Sequence, residues 1–133
     1  MNDFIETLTS RLTEHERRCA VVYAAEKQIP AGTQIEFPGT QIKFPTDSFL
    51  GFIDGEPEAN WGHKARYVVM SLEGSDYQSV EVRLPPFKCG VDISWRIVYQ
   101  AESVPKTAVQ HNINAEGDCR KEEFKCPEKS VTK

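Results

Sequence analysis

Ala65–Leu72, ARYVVMSL, is apolar at nearly every position, so a strand here buries both of its faces. Such a strand belongs in the middle of a sheet that is covered on each side. Glu73-Gly74-Ser75-Asp76 follows with the composition of a turn, which Tyr77 closes. Gln78–Leu84 (QSVEVRL) then alternates, with Val80, Val82 and Leu84 on the inner face. Pro85-Pro86 breaks the ladder, since proline has no N–H to donate. Val91–Tyr99 (VDISWRIVY) resumes the alternation: Val91, Ile93, Trp95, Ile97 and Tyr99 share one face, while Asp92, Ser94, Arg96 and the adjoining Gln100 take the other.

Upstream, Cys19–Ala24 (CAVVYA) and Phe49–Ile53 (FLGFI) are further apolar runs of strand length. Six or seven short strands joined by Gly/Pro turns predict a mainly β, antiparallel β-sandwich. The two-faced 65–72 strand then lies between a partner sheet and a helix. That helix is read at residues 3–18, where Phe4, Ile5, Leu8 and Leu12 fall on one face. Asp3 and Glu6 have capping-box spacing, and Arg17 and Arg18 complement the dipole in the last turn.

Between the first strand and FLGFI lies a doubled heptapeptide, GTQIEFPGTQIKFP, residues 32–45, in which only Glu36 and Lys43 differ. A hairpin about Pro38-Gly39 places Thr33 opposite Phe44, Ile35 opposite Ile42 and Phe37 opposite Thr40 on one side. Gln34 then faces Lys43, and Glu36 faces Gln41, on the other. Pro-Gly favours a type II turn, whose twist suits two-residue hairpins poorly. The alternative is a corner between sheets, with Pro30, Pro38 and Pro45 protecting edges. A solenoid of ligand rungs needs at least three repeats, and Thr46-Asp47-Ser48-Phe49 ends the motif.

The 133 residues are 39% hydrophobic and 27% charged, which suits one domain with a core, read as residues 1–104. Residues 105–133 read as a polar C-terminal extension. The net charge is −4. Residues 1–104 carry 15 acids against 10 bases, and no Lys/Arg stripe interleaves with aromatics, so nucleic acid is not an expected partner. No apolar run approaches the ~18 residues that span a bilayer. The N-terminal MNDFIETLTSRLTEHERR lacks an apolar segment of signal type, so a cytoplasmic location is expected, or a secreted one if a signal has been removed. Cys19, Cys89, Cys119 and Cys126 form no CxxC and read as free thiols, with a Cys119–Cys126 loop as the oxidising alternative.

The loop Asp54–Lys64, DGEPEANWGHK, is longer than a hairpin needs and concentrates polar side chains around a tryptophan. Binding candidates are Trp61 as anchor with Asn60, His63, Lys64, Arg66 and Glu56 around it, because a rigid aromatic with a polar rim dominates binding hot spots. The expected function is a non-enzymatic protein- or ligand-binding module, its partner another protein, with no cofactor and no metal. His15 and His111 are read as exposed side chains. One alternative is a small hydrolase or transferase in which His63 works with Asp54, Glu58 or a thiol. Another is a structural subunit of a homo-oligomer, assembled through the Thr33–Phe44 edge or the Phe4/Leu8/Leu12 stripe. No GxSxG, HExxH, P-loop or GxGxxG occurs.

Overall fold

The computed structural model describes residues 2–57, 62–86 and 93–104. Seven strands follow two short helices, α1 (Asn2–Ser10) and α2 (Glu14–Cys19). The strands are β1 (Val21–Ala25), β2 (Thr33–Phe37), β3 (Thr40–Phe44), β4 (Ser48–Asp54), β5 (Ala65–Ser71), β6 (Tyr77–Val82) and β7 (Trp95–Gln100). An antiparallel five-stranded sheet runs β6-β5-β4-β1-β7, and β2 and β3 form a separate two-stranded sheet. The fold is a sandwich of unequal layers with helices on its outer face.

Strand alternation sorts the five-stranded sheet into two cores. Val21, Tyr23 and Ala25 of β1, Leu50 and Phe52 of β4, and Ala65 and Tyr67 of β5 meet Phe37, Ile42 and Phe44 of the hairpin. The intervening residues of these strands, Val22, Ala24, Phe49, Ile53, Val68 and Met70, meet Phe4, Leu8 and Leu12 of the helical segment. This is the two-sided cover that ARYVVMSL demands. Burial of each large apolar side chain contributes roughly 1.5–3 kcal/mol, so the Phe4/Leu8/Leu12 stripe is committed to its own sheet. It is therefore not a free surface for assembling copies.

The doubled heptapeptide forms the hairpin, in the register Thr33↔Phe44, Gln34↔Lys43, Ile35↔Ile42, Glu36↔Gln41 and Phe37↔Thr40. Gly39 takes φ +84°, which supplies the left-handed residue that the turn after Pro38 requires. Glu36 accepts a hydrogen bond from Gln41 Nε2 at 2.6 Å.

Four expectations need correction. The helix read at 3–18 breaks into two at residues 11–13. Thr13 caps α2 by a reciprocal box with Glu16, Thr13 Oγ1 accepting from Glu16 N at 3.1 Å and Glu16 Oε1 from Thr13 N at 2.9 Å. The T-x-x-E signal lay at residues 13–16, not at Asp3 and Glu6. Cys19 closes α2 and does not begin a strand, and it is a free thiol. Leu84 lies past the end of β6 and is 41% exposed. Finally, β7 carries a bulge: Val22 pairs with Tyr99 but Tyr23 pairs with Ile97. The extra residue, Val98, shifts the alternation beyond it, so Tyr99, paired with Val22, follows Val98 to the helix side and its hydroxyl donates to the carbonyl of Arg17. The readings of Val91, Asp92, Cys89, Cys119, Cys126, His111 and the 105–133 extension lie outside the described residues.

Candidate functional site

The 54–64 loop leaves β4 at Asp54 and returns to β5 at Ala65, a residue that pairs directly with Asp54. Asp54 fixes the departure: its Oδ1 accepts from Glu56 N at 3.1 Å, an Asx-type turn. The same oxygen lies 2.7 Å from His63 Nε2, and both side chains are only 6% exposed. The pair therefore staples the two ends of the loop to each other inside the protein. A general-base role needs His63 near a carboxylate, which the geometry supplies, and also needs reach to a substrate, which side chains this buried do not offer. Trp61, Asn60 and Glu58 lie outside the described residues.

The loop base forms one wall of a cleft of about 530 Å³ on the helix side of the sheet. Its floor comes from β5 and β6 through Arg66, Ser79 and Glu81, its opposite wall from the start of α2, and Glu56 and Lys64 sit at the rim. Three of the six predicted binding residues, Glu56, Lys64 and Arg66, thus converge, while His63 lies buried behind them. A smaller hollow of about 410 Å³ continues past His15 toward Cys19 and Val104.

Sequence reading missed the helix wall of this cleft, Thr13, His15 and Glu16, and the β6 part of its floor, Ser79 and Glu81. The Thr13/Glu16 capping box was the one signal that would have placed a helix start here. Glu16 is the hub. Its two carboxylate oxygens accept from Arg66 Nε and Nη2, each at 2.9 Å, a bidentate pair of low exposure. Arg66 Nη1 donates to Ser79 Oγ. Burial opposes ionisation of Glu16, but the hydrogen bonds from Arg66 and from the Thr13 N–H outweigh it and hold the carboxyl below its usual range. The same hydrogen bond to Glu16 raises Arg66, against the cost of burial.

Elsewhere, His15 Nε2 lies 3.1 Å from Gly55 O and ties α2 to the loop. Lys64 and Glu81 form an exposed pair at 3.4 Å, the kind worth little to stability. Among the charged residues lining the cleft, Glu56 is the one whose side chain has no hydrogen bond or ion pair with a described residue. Among the described residues, no three His, Cys, Asp or Glu side chains gather as a metal centre would require, and no helix is long and apolar enough to cross a membrane. Comparison with known proteins finds no matching family model, no matching curated protein and no matching solved structure.

Proposed function

We propose that this protein is a non-enzymatic binding module that seats a basic group of a partner protein in the cleft between α2 and the β4–β5 loop. The observation that carries the reading is the charge inventory of the cleft. Arg66 is neutralised by Glu16 and Lys64 by Glu81, so the charge of the cleft left without a partner among the described residues is the Glu56 carboxylate at the rim. An incoming lysine or arginine finds a carboxylate to pair with and an aliphatic surface for its stem along the methylenes of Arg66 and Lys64. The net charge of −4 favours the same partner at long range.

The test is a pair of short peptides that differ only in lysine against norleucine, titrated into ¹⁵N-labelled protein. The lysine peptide should shift the amides of Gly55, Glu56, Lys64 and Arg66, and Glu56→Gln should weaken it by roughly two- to five-fold, the worth of one exposed ion pair. Equal shifts from both peptides, or shifts confined to other surfaces, would reject this reading.

The hydrolase or transferase alternative has the 2.7 Å contact between His63 and Asp54 in its favour. Burial of both side chains supports a bracing role for the pair instead. Replacing either partner alone leaves the other polar group buried without its mate, and so acts on stability before chemistry.

A further inference from the structure

On the opposite face of the large sheet, one edge of β2 has no strand beside it among the described residues. Among the described residues β2 pairs with β3 alone, and an edge strand presents alternate N–H and C=O groups to whatever lies beside it. Thr33 N–H turns back to Pro30 O at 3.2 Å. Residues 33–36 line a groove of about 630 Å³, whose far wall is the 26–30 segment with Ile93 and Ser94, and alternate residues of β2 turn their N–H and C=O away from β3. No lysine or proline blunts β2 between Pro30 and Pro38, whereas β3 carries Lys43. Ile35 stands half-buried at the edge, beside Ile29 and Ile93 in the same groove.

We infer that this edge accepts an extended strand from a partner protein, one that alternates apolar and polar residues and places a lysine near Glu36. The hairpin itself shows which strand fits. β3 is a near copy of β2, and it pairs so that isoleucine faces isoleucine and Gln41 donates to Glu36. Side chains stand perpendicular to the sheet, so the free edge offers Ile35 and Glu36 to a new neighbour much as the used edge offers them to β3. Glu26 and Glu36 outnumber Lys27 among the charges that line the groove, which favours a basic residue in the added strand. The recognition mode is β-strand addition: backbone bonds give affinity and alternate side chains give specificity. It uses a surface separate from the α2 cleft.

The probe is the fluorescein-labelled heptapeptide GTQIKFP, followed by anisotropy against the full chain. Saturable binding is expected. Two backbone-methylated versions, one altered at the second set of alternate nitrogens, should differ, because only one set faces β2; that one should lose roughly ten-fold in affinity. Changing the peptide lysine to glutamate should weaken binding about two- to five-fold, and Glu36→Lys in the protein should reverse the preference. Glu56→Gln should leave the peptide affinity unchanged, which separates this site from the cleft. Absence of saturable binding, or equal binding by both methylated peptides and the parent, would overturn the inference.

Discussion

Tyr67 is the residue whose cost is plainest. It is fully buried between Phe37, at a ring-centroid distance of 4.4 Å, and Phe52, at 5.2 Å. Its hydroxyl has no hydrogen-bond partner among the described residues. A buried unsatisfied hydroxyl costs about 1–3 kcal/mol, and Phe keeps the ring packing. Tyr67→Phe should therefore raise the unfolding free energy by an amount within that range, seen as a higher urea midpoint at unchanged slope; a loss of stability would show that the hydroxyl is satisfied. The sequence marked this position as inward-facing in a central strand. It could not show that the hydroxyl finds no partner, because that depends on which side chains surround the ring.

At the scale of elements, β4 and α1 depend on one missing side chain. A Cβ built on Gly51 would stand 3.0 Å from Leu8 Cδ2, 3.3 Å from Phe4 Cζ and 3.4 Å from the Tyr23 carbonyl oxygen. Glycine here lets the helix approach the sheet closely enough for Phe4 and Phe49 to stack at 5.2 Å. Gly51→Ala should destabilise by roughly 1–3 kcal/mol through overpacking. Combining it with Leu8→Ala should cost less than the sum of the two, since the second change removes the atom struck by the first. Strict additivity in thermal unfolding would refute the contact. FLGFI was legible as a strand, and the stripe Phe4, Leu8 and Leu12 as a buried face, from period alone. The division of the helix at residues 11–13 and the bulge at Val98 were not, because each satisfies a contact far away in the chain: Glu16 must reach Arg66, and Tyr99 must reach Arg17.

For the whole molecule, the pH dependence of stability follows from groups shifted in opposite senses, Glu16 on the acid side and the phenols of Tyr67 and Tyr77 on the alkaline side. Glu16 is held below its ordinary range in the fold. Its contribution is complete above the unfolded value of about 4.3 and fades as pH falls through the lower folded one. Burial pushes the Tyr67 phenol far up, so its neutral form is favoured in the fold. That contribution is present below the unfolded value of about 10 and is lost as pH climbs beyond it. Urea unfolding across pH should show a plateau between these limits. Glu16→Gln should flatten the acid limb and Tyr67→Phe the alkaline one. An acid limb identical in wild type and Glu16→Gln would mean that the Glu16–Arg66 pair contributes nothing to the titration.

By itself the sequence determined that the middle of the chain is built of short strands, which faces of most of them are apolar, and the register that a hairpin of the doubled heptapeptide takes. Those properties depend on a two-residue period and on local turn chemistry, and both are written in neighbouring positions. Only the tertiary structure decided that the heptapeptides form a hairpin and not a corner, that α2 lies over Arg66, and that Glu56 and the outer edge of β2 have no partner among the described residues. Each of these depends on where residues tens of positions apart come to lie, and the balance of charge in a cleft exists only once its walls have been brought together.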